Sequence, residues 1–231
     1  MFFVSSLSVQ FCGNWLGFSP TSAAFVGSAA SGYFTGAFAA LQEWRKVLQS
    51  QRIVAATSAA NLVREAVRTQ GRAPGLASVG RRLHACGVRN GIFDSTFFGL
   101  KHLLVERGGG GAVVSGAAAF GFSAGVAVTV DYAVDVVTKR RLAQPPATVL
   151  EAESVLWAAA TLLRKNGLLG YRGLGSKCCE FTLSYLITGA LAPTVATVVG
   201  LAIGRRACDR ESSLEQPAGK EGDRGRLRRA Q

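Results

Sequence analysis

The chain has 231 residues, with 26 Lys or Arg against 14 Asp or Glu, a net charge of +12 and a pI near 10.2. A basic excess of that size invites a nucleic-acid reading, but no basic stripe is interleaved with aromatic residues as a nucleic-acid groove requires. The apolar residues are gathered into long uncharged runs, which argues against an ordinary soluble core.

No Asp, Glu, Lys or Arg occurs from Met1 to Gln42, and further uncharged runs extend from Gly108 to Val130 and from Phe181 to Gly204. Each reaches or exceeds the roughly 20 residues that span a hydrocarbon core. The expected class is an all-α, multi-pass membrane protein. Eight basic residues against two acids lie between Glu43 and His84, and seven against three between Asp135 and Lys177. Placing both segments on one face satisfies the positive-inside preference.

Met1 to Phe18 is apolar and aromatic, and Ser19-Pro20-Thr21-Ser22 ends it. Pro20 disfavours helix at Ser19, and Ser22 is a suitable cap for a helix opening at Ala23. The segment has no basic region, so it fits neither a secretory signal nor an Arg-rich presequence, and any organellar targeting is expected to be internal. The first full membrane helix is predicted over Ser22–Gln49, with Ser28, Gly32 and Gly36 four apart on one face. Small residues at that spacing let a neighbouring helix approach closely. Val54–Thr69 reads as an amphipathic interfacial helix, stopped by Gln70-Gly71-Arg72-Ala73-Pro74-Gly75.

The next helix, about Arg81–Glu106, carries Arg89, Asp94 and Lys101 within an apolar run. Such groups are expected to face a bundle interior or a water-filled cavity. Arg89 and Asp94, five apart, are not expected to share a face. After a turn at Arg107–Gly111 comes a long small-residue run from Ala117 to Asp135, ending at the basic edge Lys139-Arg140-Arg141. A shorter helical pattern follows over Val149–Lys165, then Gly167, Gly170 and Tyr171-Arg172-Gly173. The last helix is predicted over Lys177–Gly204, kinked at Pro193 and stopped by Arg205 and Arg206. The tail beyond it mixes basic and acidic residues with Gly and Pro, and is expected to be disordered.

The order of long helix, acid and bases, short helix and Gly is present twice. Gly32 and Gly125 are 93 positions apart, Glu43 and Asp135 92, and Gly80 and Gly173 93. Near-constant offsets across three landmarks indicate an internal repeat.

Asp135-Val136-Val137 with Tyr171-Arg172-Gly173, within a repeat of this shape, resembles the mitochondrial carrier family over roughly Ser22 to Gly204. The resemblance implies tandem carrier-type repeats of two tilted transmembrane helices joined by a short interfacial helix. Residues 20–108 and 109–204 would be two repeats, residues 1–19 a remnant of a first, and residues 205–231 a basic tail. Departures are many. Leu41 and Ala133 stand where the family has its kinking prolines, Thr138 holds a base position with Lys139 one residue late, and Ala77-Ser78 precede Gly80 where an aromatic and a base belong.

The family exchanges small anionic metabolites across the mitochondrial inner membrane by alternating access, with salt bridges closing the matrix side. Its pattern carries that network onto Glu43, Lys46 and Asp135. Counting seven residues on from Gly80 and Gly173 places substrate contacts at Gly87, Val88, neighbouring Arg89, and Glu180. Gly87-Val88 resembles the pair of some nucleotide carriers, while Gly87 and Gly91, four apart, equally suit close helix packing. Glu180 suits a water-exposed helix end as well as a cavity, and would repel an anion unless Arg89 or Lys177 offset it. The implied partners are a small-molecule substrate such as a nucleotide or carboxylate, membrane lipid and, on the second reading below, an inner-membrane complex.

Two readings follow: a divergent carrier that moves a small metabolite, and a carrier-derived structural subunit or adaptor that does not transport. Catalysis is not expected. His84 and His102 lack a nucleophile or carboxylate at usable spacing, and Gly108–Gly111 lacks the Lys-Ser/Thr of a phosphate loop. Cys12, Cys86, Cys178, Cys179 and Cys208 show no Cys-x-x-Cys spacing, so no metal or cofactor is expected.

Overall fold

Apolar sequence of this kind folds into helices because each satisfies its own backbone hydrogen bonds. The computed structural model describes residues 2–53, 58–107, 112–148, 153–167 and 171–191, and these contain helices and no strand. In chain order they are α1 (Phe2–Asn14), α2 (Pro20–Ser50), α3 (Ala59–Gln70), α4 (Arg72–Arg107), α5 (Ala112–Leu142) and α6 (Val155–Asn166), followed by α7 over residues 174–191. Met1–Gly189 forms one compact unit; Ala190–Gln231 groups separately. The expected Pro193 kink, the Arg205-Arg206 stop and the tail lie outside the described residues.

Several predicted helix starts move: α3 opens at Ala59 rather than Val54, α6 at Val155 rather than Val149, and α7 at residue 174 rather than Lys177. The Ser19 hydroxyl accepts from the Ser22 amide at 3.2 Å and caps α2, with Pro20 inside the first turn. Proline suits that position because its missing N–H would have no helical partner there, so the helix opens earlier than Ala23. Likewise, of the predicted stop between α3 and α4, only Gly71 breaks the helix, at φ 87°. Pro74 sits in the first turn of α4, where it is tolerated, so α4 begins at Arg72 rather than Arg81. Gly71 after α3 and Gly167 after α6, at φ 52°, both take the left-handed conformation that glycine adopts without strain. The landmark glycines differ, since Gly173 has φ 91° whereas Gly80 lies within α4.

Pro20–Ser50 and Gly116–Leu142 are long and apolar enough to cross a membrane. At about 1.5 Å per residue, α2 extends well beyond a hydrocarbon core of about 30 Å. Over residues 28–38 its side chains are arranged inside out. Ser28, Ser31, Gly32 and Gly36 are buried, while Phe34 and Phe38 are exposed by 60% and 84%. Phe122, Val130, Leu183 and Ile187 are likewise exposed on α5 and α7. Large apolar groups outside and small polar groups inside suit a lipid surround, where helix association depends on close packing rather than on escape from water.

Glycine makes that packing possible. A Cβ on Gly32 would lie 2.5 Å from the Asn90 carbonyl oxygen of α4, and one on Gly36 2.5 Å from that of Cys86. From the other side, Gly87 and Gly91 of α4 lie against Tyr33 and Ala29. On α5, Gly121 and Gly125 face Leu186 and Thr182 of α7, and Gly189 of α7 meets Ala117 and Phe120. α1 lies along α2, with Gly27 against Val9. The backbones approach at these points because no side chain intervenes.

Each short helix is a strap between two long helices in chain order, and α3 and α6 sit beside the C-terminal ends of α2 and α5, the strap side of the molecule. α3 buries Leu62 and Ala66 and turns Arg64 and Arg68 outward; α6 buries Val155, Ala159 and Leu162 while exposing Leu156 and Trp157. Leu62, Ala66, Trp44, Leu48 and Leu142 share one apolar cluster. Arg82 is fully buried there. It stacks on Trp44 at 4.3 Å and donates to the Ser78 hydroxyl at 2.6 Å and to the Gln144 and Pro145 carbonyls, each at 3.3 Å. Gln70 also donates to the Thr148 carbonyl at 3.0 Å. The segment after α5 is thereby clasped to α3 and α4, and a base counted at sequence level among loop charges is a buried structural group.

Gly36→Leu is expected to destabilise the fold by about 3 kcal/mol or more, since overpacking here meets backbone rather than a movable side chain. A Cβ on Gly80 would meet nothing within 4 Å. Gly80→Ala should therefore be neutral or stabilising by up to about 1 kcal/mol. Thermal melting of the two variants in detergent checks both.

Candidate functional site

Four long helices place a charged stripe around one cleft. On α5, Val128, Asp131, Tyr132, Asp135, Val136 and Lys139 recur at three- and four-residue intervals and all line it. On α4 the same spacing brings Arg89, Asn90, Phe93 and Asp94 to its wall, and α7 contributes Lys177, Glu180, Phe181 and Tyr185. Glu43 completes the edge from α2. The cleft has a volume of about 630 Å³, within the about 300–1,000 Å³ typical of small-molecule sites.

Its strap-side end is a network of ion pairs. Arg89 donates to both oxygens of Glu43, at 2.5 and 2.8 Å, a bidentate match of guanidinium to carboxylate. The Asn90 side-chain oxygen accepts from Arg89 Nε and Nη2 at 3.0 and 2.9 Å and holds the fork in place. Asp135 receives three cations: Lys177 Nζ at 2.5 Å, Lys139 Nζ at 3.1 Å and Arg89 Nη1 at 3.5 Å. These contacts join α2, α4, α5 and α7. Tyr132 packs beside them, its hydroxyl donating to the Arg172 carbonyl at 2.5 Å.

Farther from the straps, the opposite end is aromatic. Phe93 stacks on Phe97 with ring centres 6.0 Å apart, Phe97 meets Tyr185 at 4.7 Å and Phe120 at 5.7 Å, and Phe181 meets Phe93 at 5.8 Å. Lys101 Nζ lies 4.2 Å from the centre of the Phe120 ring. Between the two ends sit Asp94 and Asp131, each 4% exposed, and the more exposed Glu180.

No family model, curated protein or solved structure matches this chain.

Of the substrate positions inferred by counting, Arg89 and Glu180 line the cleft. Gly87 and Val88 do not. Gly87 lies against Tyr33 in the α2–α4 contact, and Val88 packs against the cluster of Ala85, Val134 and Val155. Of the network residues, Glu43 and Asp135 are joined through Arg89, while Lys46 is exposed on α2 and outside the ion pairs of the described residues. Glu43's partner is Arg89 of the facing helix, whose guanidinium offers a donor to each carboxylate oxygen. Arg89 and Asp94, not expected to share a face, both border the cleft, and Asp94 also lies against Gly32 of α2.

Sequence reasoning passed over Lys177 as the nearest cation to Asp135, Asp131 as a buried carboxylate, and Asn90. The spacing of Val128, Asp131, Asp135 and Lys139 was the available signal for Asp131: one helical face carrying three charges inside an apolar helix.

Removing Arg89 leaves Glu43 and Asp135 facing each other without their shared cation. Arg89→Ala is expected to cost about 3 kcal/mol, the lower end for breaking a buried pair, since Glu43 retains 26% side-chain exposure. A double-mutant cycle of Arg89→Ala with Glu43→Gln should give a coupling energy of about 1 kcal/mol or more. Additive losses in detergent melting curves would contradict the pairing.

Proposed function

We propose that this protein is a divergent carrier-like membrane protein that exchanges a small polar metabolite across the mitochondrial inner membrane by alternating access. The observation that carries the reading is the charged cleft bounded by an ion-pair network on one side and an aromatic cluster on the other. In this reading α2–α3–α4 and α5–α6–α7 are two carrier-type repeats, the long helices span the bilayer, and both straps face the matrix. Glycine contacts within each helix pair support it, as do the two short helices ending at left-handed glycines.

Transport requires the strap-side network to open and re-form. Each of its pairs remains partly accessible to solvent, with Arg89 at 13% and Lys177 at 18% side-chain exposure. A solute that binds the open form better than the closed form shifts the balance by its differential affinity, and no other energy source is needed for exchange. The aromatic cluster would yield by side-chain and helix movement at the other end.

The full chain reconstituted in liposomes is expected to exchange labelled metabolite above the background of empty vesicles, and Asp135→Asn to reduce the rate at least tenfold. Background rates across amines, amino acids, carboxylates and nucleotides would overturn transport and leave the carrier-derived structural subunit as the alternative. The topology is checked separately. Cysteines replacing Arg64 and Arg164 should be labelled from the same side of the membrane, and labelling from opposite sides would contradict paired straps.

A further inference from the structure

More carboxyl groups than cations line the cleft, and those cations are already engaged. Five carboxylates line it (Glu43, Asp94, Asp131, Asp135 and Glu180) against Arg89, Lys139 and Lys177. All three cations are directed to Glu43 or Asp135. Asp94, Asp131 and Glu180 take part in no ion pair among the described residues. Asp131 is the most exacting of them. It is 4% exposed, sits on the cleft face of α5 one turn from Asp135, and its Oδ1 accepts no hydrogen bond among the described residues. A buried carboxyl group with an empty acceptor is costly unless it takes up a proton or a donor or cation arrives to complete it.

The surroundings favour an organic cation. Phe93, Tyr132, Phe181 and Tyr185 line the same cleft as Asp94 and Asp131. Aromatic rings beside carboxylates attract an ammonium group through the ring face while accommodating its hydrocarbon part. They also suit it better than a bare metal ion, which takes a shell of oxygen ligands. An anion would meet three carboxyl groups that are in no ion pair among the described residues and would have to displace existing partners of Arg89 and Lys177.

We propose that the cleft binds an organic ammonium ion of metabolite size, its charged nitrogen seated at Asp131 with Asp94 and Glu180 nearby and its carbon frame against Phe93, Phe181 and Tyr185. This assignment rests on the carrier-like reading and names the solute class for the same site. It reverses the anionic class implied by the family resemblance. The strap-side network is then a structural closure whose cations are held away from the ligand, and Arg89 serves as a positioning residue.

The test is binding to the purified full chain in detergent, read by calorimetry and by melting shift, with putrescine, arginine and choline as cationic probes and succinate and ADP as anionic ones. At least one cationic probe should bind and raise the melting temperature while the anions do not. Asp131→Asn, which keeps shape and loses charge, should weaken that binding at least tenfold, and Asp131→Glu should restore much of it. If the Asn variant fails to fold, Glu180→Gln on the exposed wall should weaken binding severalfold. Binding of succinate or ADP without any amine, or unchanged amine affinity in both charge-neutral variants, would overturn the proposal. Amine binding without uptake into liposomes would sustain it and overturn transport instead, so the two readings fail separately.

Discussion

Asp135 is the point on which the arrangement of the long helices depends. One carboxylate from α5 gathers Lys139 from its own helix, Lys177 from α7 and Arg89 from α4, and Arg89 reaches on to Glu43 of α2. Gathering that many charges in a partly buried setting is favourable only when each has an opposite partner and its remaining hydrogen-bonding capacity is met. Asn90 supplies such a completion for Arg89. The network therefore fixes the relative rotation of four helices that would otherwise be held mainly by non-directional contact.

Close approach is the complementary constraint. Gly32, Gly36, Gly87 and Gly91 let α2 and α4 meet nearly backbone to backbone, and Gly121, Gly125 and Gly189 do the same for α5 and α7. The resulting pairs place small residues between helices and turn Phe34, Phe38 and Phe122 outward. Arg82, stacked on Trp44 and bonded to carbonyls after α5, ties the strap end together. Glycine contacts set the spacing, ion pairs set the rotation, and the clasp joins the first helix pair to the second.

Within that frame the cleft keeps unequal ends. Cations and their partners occupy the strap side, aromatic rings the other, and carboxyl groups in no ion pair among the described residues lie between. The same balance of charges bears on ligand class: a network that consumes its own cations leaves the middle of the cleft acidic. Counting positions from a family pattern led toward Gly87 and Val88, yet these residues serve helix packing, and the groups facing the cleft are Arg89, Asn90, Phe93 and Asp94.

Several features were legible in the residues themselves: helical content, the two long apolar helices, the short amphipathic helices, the glycine faces and Gly71 as a breaker. Each follows from local chemistry or from periodicity along one helix, so no knowledge of neighbours is needed. Which cation meets which carboxylate was a different matter. Glu43 takes Arg89 from the facing helix, Asp135 takes Lys177 from a distant helix, and Arg82 is buried rather than solvated. Those outcomes depend on how helices far apart in sequence are rotated against one another, and only the packed structure sets that rotation.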